Sequence, residues 1–179
     1  MAETYTLNVA GLTRELTRYP VNDKLDIAAF IMFSDVELTV KVSEELLKKT
    51  GDFDVILTSE AKGIPLAYEM ARQSGKPYVV ARKSVKVYMT NPVTVNVKSI
   101  TTKDEQKLHL GDEKASMIRG KKVLIVDDVI STGESLTAME NLIEKAGGTV
   151  CGRCAVLAEG DAADRTDIVF LEKLPLFFK

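Results

Sequence analysis

Residues that commonly hold metals are scarce in this chain. It has one histidine and two cysteines among 179 residues, whereas a structural zinc ion takes four ligands of such types. Cys151 and Cys154 form a Cys-x-x-Cys pair within a predicted strand, where an odd separation directs the two side chains to opposite faces. We therefore expect ordinary buried thiols rather than a zinc or redox site.

Long runs of apolar residues and long runs of basic residues are also missing. No apolar stretch approaches the ~20 residues that cross a membrane, and the N-terminus has no basic and apolar leader. No long basic run accompanies the formal net charge of −2, which disfavours a general nucleic-acid binder. Walker A and Gly-x-Gly-x-x-Gly patterns are absent too. We expect a single cytoplasmic domain over residues 1–179, without nucleic-acid or membrane partners and with phosphate sites that are local.

The most informative segment lies between Lys121 and Ser135. Five of the seven positions from Val123 to Val129 are Val, Leu or Ile, the composition of a strand buried on both faces of a parallel sheet. We expect this strand to end at the acidic pair Asp127 and Asp128. A turn of small residues follows, and apolar positions then return at helical spacing until Gly147.

This order of elements has a chemical interpretation. A turn that opens a helix exposes unpaired N–H groups and the positive end of the helix dipole, so residues 131–135 are suited to a phosphate monoester. Two neighbouring carboxylates repel each other, and a ribose diol together with Mg²⁺ offers the hydroxyl donors and the cation that stabilise them. A phosphate beside a diol describes ribose 5-phosphate.

The segment Val-Leu-Ile-Val-Asp-Asp-Val-Ile-Ser-Thr-Gly-Glu-Ser-Leu, residues 123–136, resembles the signature of the type I phosphoribosyltransferases. The resemblance implies an α/β fold with an open, mainly parallel sheet covered by helices on both faces. It extends over about residues 35–160, and a small hood is expected from residues 1–34 and 161–179. It also implies Mg²⁺ and the substrates 5-phosphoribosyl-1-diphosphate and a purine base. The implied ribose-5-phosphate site comprises Asp127, Asp128, Ser131, Thr132, Gly133, Glu134 and Ser135, with the two aspartates acting on the metal indirectly.

A second strand, turn and helix offers a site for another anion. Residues 53–58 form a predicted strand, and a helix is expected from Ile64-Pro65 to Ser74-Gly75. Lys62 lies in the turn between them, and the family resemblance makes this turn a diphosphate-binding loop. Three cations follow the next predicted strand, residues 78–81, where they either form a solvated edge or neutralise the diphosphate. The diphosphate candidates are Ala61, Lys62, Gly63, Arg82, Lys83 and Lys86.

Residues that contact the base are harder to find. A helix is expected over residues 36–50 with Asp35 as its cap, and the apolar run before it contains Phe30 and Phe33. Either aromatic ring is able to stack on a purine, although core packing accounts for them equally well. The base-binding candidates are Phe30, Phe33, Val129, Ile130 and Glu159.

Residues 88–110 predict a hairpin with a polar tip. In the family such a loop closes over the reaction centre and excludes water. Adenine enzymes carry Glu-Tyr-Gly there, and this chain does not. The candidates for that role are Ser99, Thr101, Lys103 and Glu105. His109 alternates between two leucines and is expected to face solvent.

The choice of base rests on two departures from oxopurine enzymes. These often place a lysine near the end of the last core strand, and none occurs at residues 159–162. The hypoxanthine-guanine enzymes have an aspartate where Ser131 stands. We therefore expect an adenine phosphoribosyltransferase-like enzyme, as a homodimer. The alternatives are an enzyme for xanthine or another oxopurine, and a non-catalytic sensor of phosphoribosyl diphosphate. Regulators of the latter kind carry an added DNA-binding domain, for which we expect no room in this chain.

Overall fold

We describe the fold from a computed structural model, which defines residues 3–97 and 106–179. The four candidate residues of the hairpin tip, Ser99, Thr101, Lys103 and Glu105, lie outside the described residues.

The N-terminal segment forms an antiparallel sheet. Strands β1 (Thr4–Val9) and β2 (Leu12–Asn22) are joined by a tight turn at Ala10 and Gly11, and β3 (Leu25–Ala28) pairs with β2. Helix α1 (Val36–Lys49) follows, and the carboxylate of Asp35 accepts a hydrogen bond from the Leu38 amide at 3.0 Å. The predicted helix and its cap are therefore confirmed.

The rest of the chain supplies the central layer and its helices. In chain order the elements are β4 (Val55–Ser59), α2 (Ile64–Ser74), β5 (Tyr78–Ala81), β6 (Val93–Val97), β7 (Gln106–Leu110), α3 (Asp112–Ser116), β8 (Lys122–Ile130), α4 (Glu134–Lys145), β9 (Thr149–Glu159), a 3₁₀ helix (Gly160–Asp164), β10 (Val169–Leu174) and β11 (Leu176–Phe178).

Five of these strands form a parallel sheet in the order β10-β9-β8-β4-β5. Every residue of β4 is buried, as expected of a strand covered on both faces. One face packs against α4 and the β6-β7 hairpin, and the other packs against α1, α2 and the N-terminal sheet. The predicted fold class, an open parallel sheet with helices on both faces and an antiparallel hood, is confirmed.

The structure differs from the sequence-based boundaries at two places. Strand β8 does not end at its two acids: Val129 and Ile130 continue the pairing with β9, because that strand runs on to Glu159. The C-terminal tail is divided between two sheets. Strand β10 is an edge strand of the central sheet, and only β11 joins the N-terminal sheet by pairing with β3.

The expectation that His109 faces solvent is wrong. The residue is 7% exposed, and its Nδ1 lies 2.8 Å from Thr94 Oγ1. The β6-β7 hairpin packs on the core with one face, while the main chain of His109 bridges to Arg82 at the end of β5. The imidazole is therefore buried, and this burial lowers its pKa.

The two cysteines point to opposite faces of their strand, as predicted, but the prediction that both are buried is wrong. Cys154 is buried and Cys151 is exposed, and both are free thiols. Burial raises the pKa of Cys154 above the usual range for a thiol.

The helices within the described parts of the chain are all too short or too polar to span a membrane.

Candidate active site

The site lies where the strand order of the central sheet reverses. The chain moves outward from β4 to β5 and later returns to place β8 on the other side of β4. The carboxyl ends of β4 and β8 are therefore neighbours, and the turns that follow them diverge to leave a crevice, the usual position of a ligand site in open α/β sheets. The two candidate anion-binding turns identified from the sequence are these two turns.

Gly63 allows the first turn to lie against the acidic end of β8. A Cβ atom at this position would collide with Thr58 Oγ1 and would lie 3.0 Å from Asp127 Oδ1. Because only a glycine leaves this space open, the sequence Ala-Lys-Gly fixes the distance between the turn and the acidic pair. The peptide bond between Glu60 and Ala61 in the same turn is cis.

Lys62 reaches from this turn to the acidic pair. Its Nζ lies 3.1 Å from Asp128 Oδ2, and the lysine side chain is 54% exposed while that of Asp128 is 4% exposed. The contact is an ion pair without hydrogen-bond alignment, and among the described residues Asp128 Oδ2 has no hydrogen-bond partner. A buried carboxylate oxygen is thus left able to accept a further bond.

Asp127 is in a less favourable electrostatic position. Burial raises the pKa of its carboxyl well above the ordinary value, and repulsion from the neighbouring Asp128 raises it further, while Lys62 acts in the opposite direction. Its Oδ1 accepts the Asp128 amide at 2.9 Å. The ionised pair is therefore stabilised by any ligand that brings hydroxyl donors or a cation.

A small cavity of about 40 Å³ joins the acidic strand end to the second turn. Its lining residues are Asp127, Val129, Ile130, Ser131, Thr132, Gly133, Ser135 and Leu136. Gly133 has a φ of 83°, which glycine adopts without strain, and helix α4 begins directly after it. Gly133 is the N-cap residue, and no side-chain hydrogen bond caps the start of α4 among the described residues. The first amides of α4 are therefore available to an anion.

The cations after β5 are arranged differently from one another. Arg82 Nε lies 2.6 Å from Glu60 Oε2, and the Lys83 amide donates to Glu60 Oε1 at 3.1 Å. The Lys83 side chain is exposed, and Lys86 Nζ donates to Ser84 Oγ at 2.7 Å. Glu60, which sequence reasoning missed, thus ties the segment after β5 to the turn that carries Lys62. Its position directly before Ala61-Lys62-Gly63 was the only available signal.

The base-binding candidates are not brought to one place. Phe30 is 3% exposed within the core beside the N-terminal sheet, whereas Phe33 is 47% exposed. Val129 and Ile130 line the small cavity. Glu159 is half-buried at the end of β9, where burial raises the pKa of its carboxyl and the charge of Lys62 partly opposes that shift.

The acidic pair fits Mg²⁺ only as part of a shared site. Among the described residues no three His, Cys, Asp or Glu side chains are grouped to hold a metal ion. Asp128 Oδ2, which has the ion pair with Lys62 but no hydrogen bond among the described residues, does offer one buried carboxylate oxygen. Mg²⁺ commonly takes one or two carboxylates and completes its shell with water and substrate oxygens, so the residues present suit a substrate-bound ion.

Fold and geometry together define an α/β protein with a crevice at the reversal point of its sheet, lined by two carboxylates, a lysine and a helix start. Residues 37–173 match the family model described as a phosphoribosyl transferase domain. The chain belongs to this family, and its relatives place it in the purine branch.

The relatives have several stated functions. A hypoxanthine/guanine phosphoribosyltransferase of Methanococcus voltae is 37% identical over 147 residues, which cover 82% of this chain and 72% of the relative. The purine biosynthesis transcriptional repressor PurR of Bacillus subtilis is 36% identical over 113 residues, which cover 63% of this chain but 39% of the repressor. Other relatives are named adenine and xanthine phosphoribosyltransferases.

The solved structures agree on the fold. An adenine phosphoribosyltransferase of Thermoanaerobacter pseudethanolicus superposes with a TM-score of 0.72 at 22% identity, covering 88% of this chain and 95% of the other.

Proposed function

We propose that the chain transfers the 5-phosphoribosyl group of 5-phosphoribosyl-1-diphosphate to a purine nitrogen, with adenine as the preferred base, and releases diphosphate. The observation that carries the proposal is the shared cavity, in which Asp127 and the turn of residues 131–135 face the same space. Lys62 reaches the acidic pair from the neighbouring strand. The missing lysine at residues 159–162 and the serine at position 131 favour adenine.

The ribose-5-phosphate half is assigned to β8 and the turn after it. The first amides of α4 and the hydroxyl groups of Ser131, Thr132 and Ser135 bind the 5-phosphate. Asp127 and Asp128 accept hydrogen bonds from the ribose hydroxyls. This exchange replaces carboxylate repulsion with charge-assisted hydrogen bonds, which are about twice as strong as neutral ones.

Lys62 has a different partner before and after substrate binding in this proposal. In the free protein it pairs with Asp128 at 3.1 Å. Its exposed ammonium group turns to the diphosphate when the ribose hydroxyls take over the carboxylate. Arg82, Lys83 and Lys86 follow β5, which neighbours β4 in the sheet, and we assign them to the leaving group as additional positive charge. Asp127 and Asp128 would help to hold a substrate-bound Mg²⁺, which would neutralise part of the charge on the leaving diphosphate.

The protein contributes mainly position and charge to the reaction. Departure of diphosphate leaves positive charge at the anomeric carbon, and the carboxylates beneath the ribose stabilise that charge. The two turns fix the sugar at its phosphate and diphosphate ends, so the anomeric carbon is held in place for attack by the base.

The decisive experiment measures diphosphate release when the protein is mixed with Mg²⁺, phosphoribosyl diphosphate and one base at a time. Adenine, hypoxanthine, guanine and xanthine are compared. We expect the fastest diphosphate release with adenine. We expect Lys62→Ala to release diphosphate only at a small residual rate. Faster release with an oxopurine would overturn the base assignment while leaving the transferase assignment intact.

A second candidate is a non-catalytic sensor of phosphoribosyl diphosphate, which the similarity to the PurR repressor favours. Calorimetry distinguishes the two. A sensor binds phosphoribosyl diphosphate tightly and releases no diphosphate with any base, whereas the enzyme turns over. A homodimer is part of the main proposal and is tested by sedimentation of the purified chain.

A further inference from the structure

A cation that belongs to none of the sequence motifs lies against the turn before α4. Arg165 follows the 3₁₀ helix, and its Nη1 lies 2.8 Å from the position that a Cβ atom would occupy on Gly133. Gly133 therefore satisfies two requirements at once. Its φ of 83° starts the helix, and its missing side chain leaves room for a guanidinium group beside the turn.

Asp167 holds this guanidinium in one orientation. Arg165 Nε donates to Asp167 Oδ1 at 2.9 Å and Nη2 donates to Oδ2 at 2.6 Å, a two-point contact that fixes the plane of the group. The same contact lowers the pKa of Asp167 to about 2. Nη1 donates no hydrogen bond to any described residue, although it is the nitrogen that lies at Gly133.

The surrounding charges leave Arg165 available to an anion. Glu140 on α4 is engaged by Arg153 on β9 in a close ion pair. Asp167 pairs with the Nε and Nη2 groups of the guanidinium, and Nη1 is left beside the turn at Gly133. The Arg165 side chain is 33% exposed, so an anion that enters the turn from solvent is able to contact it.

We propose that Arg165, positioned by Asp167, donates through Nη1 to the phosphate monoester bound by the turn of residues 131–135. The inference rests on the proposed function and adds a binding residue to it. Backbone amides alone give a phosphate neutral donors, whereas a guanidinium supplies a charge-assisted bond and a full positive charge. The neighbouring carboxylates, Asp127 and Asp128, are assigned to the ribose hydroxyls. The phosphate monoester in the adjoining turn is therefore the 5-phosphate of the same sugar.

The test compares two ligands that occupy opposite ends of the site. Ribose 5-phosphate and diphosphate are titrated separately by calorimetry into the wild type, Arg165→Gln and Arg119→Gln. Arg119 precedes β8 at the opposite end of the sheet and is exposed, so its variant controls for the change in net charge. We expect Arg165→Gln to weaken ribose 5-phosphate binding about 10- to 100-fold, as for loss of a charged hydrogen bond. Diphosphate affinity should change by less than about twofold, and Arg119→Gln should affect neither ligand.

Three further variants separate binding from a structural effect. Asp167→Asn keeps the cation but loosens its orientation, so it should weaken ribose 5-phosphate binding by less than Arg165→Gln does. Arg165→Lys should restore part of the affinity. If Arg165→Gln lowers thermal stability, the paired variant Arg165→Gln with Asp167→Asn removes the unpaired carboxylate and should retain the binding defect.

The outcomes distinguish this inference from the function on which it rests. Unchanged ribose 5-phosphate affinity in Arg165→Gln, with the wild type binding both ligands, would overturn the role of Arg165 and leave the proposed function standing. A wild type that binds neither ligand would overturn both. Equal losses for ribose 5-phosphate and diphosphate would show a general distortion and also contradict the assignment.

Discussion

At the scale of single residues, the acidic pair carries opposite consequences for folding and for binding. Asp127 is partly buried beside Asp128, and both the loss of solvent and the neighbouring charge raise the pKa of its carboxyl well above the ordinary value. The folded chain therefore binds the proton of Asp127 more tightly than the unfolded chain does. The resulting loss of stability is absent below the unfolded-state pKa of about 4 and grows as the pH rises toward the folded-state value.

Asp127→Asn should accordingly stabilise the fold while impairing the site. The amide keeps an oxygen for the Asp128 N–H, and it removes the repulsion between the carboxylates. We expect unfolding free energy to rise by about 1 kcal/mol at pH 8, or about 2–4 °C in Tm, with almost no difference from the wild type near pH 4. Affinity for phosphoribosyl diphosphate should fall at least ~10-fold, the loss of one charged hydrogen bond.

Urea unfolding between pH 4 and pH 8 measures the change in stability, and calorimetry measures the affinity for phosphoribosyl diphosphate. Asp23→Asn, in the exposed turn between β2 and β3, is the matched control and should change neither the stability nor the affinity. A variant that is less stable than the wild type at pH 8 would contradict the electrostatic account.

Single residues also mark the limit of sequence reasoning. Asp127, Asp128 and Lys62 were identified because each lies in a short motif whose chemistry is local. Arg165 carries no motif, and its contact with Gly133 exists only because the chain after β9 folds back over the start of α4. The burial of His109 is likewise a tertiary effect: its main chain bridges to Arg82 and its ring lies against Thr94 of the paired strand, and alternation within β7 alone does not show either contact.

At the scale of elements, local signals predicted the helices well and one strand end poorly. The cap at Asp35 and the Pro65 and Gly75 signals determine where α1 and α2 begin or end, and these depend on neighbouring residues only. The end of β8 depends on its partner. The two acids interrupt the apolar pattern, but hydrogen bonds to β9 continue to Ile130 because a parallel ladder does not require apolar side chains.

The turn between β4 and α2 should tolerate no side chain at Gly63. In Gly63→Ala the new methyl group would collide with Thr58 Oγ1 and crowd Asp127 Oδ1, so the turn must move away from β8. We expect a loss of about 1–3 kcal/mol in unfolding free energy. We also expect a larger fall in diphosphate affinity than in ribose 5-phosphate affinity, because Lys62 moves with the turn.

Gly51→Ala is the control for this substitution. A Cβ atom at Gly51 meets no heavy atom within 4 Å, so this variant should be neutral or slightly stabilised through its unfolded state. Chemical denaturation of both variants measures the change in unfolding free energy, and calorimetry measures their diphosphate and ribose 5-phosphate affinities. Equal stability and equal diphosphate binding in the two would mean that close approach of the turn to Asp127 is unnecessary.

At the scale of the whole molecule, the hood expected from the two chain ends is confirmed, but the sheet that each C-terminal strand joins could not be assigned from sequence, because the pairing of β11 with β3 joins residues more than a hundred positions apart. Strand β11 completes the N-terminal sheet by pairing with β3, while β10 belongs to the central sheet. Pro175, the one residue between them, therefore links the two sheets covalently. Apolar periodicity indicates that such segments are strands, but it does not say which sheet each one joins.

Phe177 is the side chain that fastens β11 to the N-terminal sheet. Its ring makes an edge contact with Tyr5 at 5.6 Å between centroids, and the guanidinium of Arg18 lies 4.1 Å above it. Phe177→Ala removes both contacts from a half-buried position, so we expect a loss of about 2 kcal/mol. Phe178 is 77% exposed, and Phe178→Ala should stay within about 0.5 kcal/mol of the wild type.

Hydrogen exchange distinguishes a local effect from a global one. In Phe177→Ala the amides of β2 and β3 should exchange faster than in the wild type, because these strands pair with β11 directly or through one neighbour. The amides of β4 and β8 should lose only the protection that follows from the lower global stability. Uniform loss across both sheets would mean that the two sheets unfold as one unit. Equal behaviour of the two phenylalanine variants would mean that the ring contacts of Phe177 contribute nothing to holding the tail.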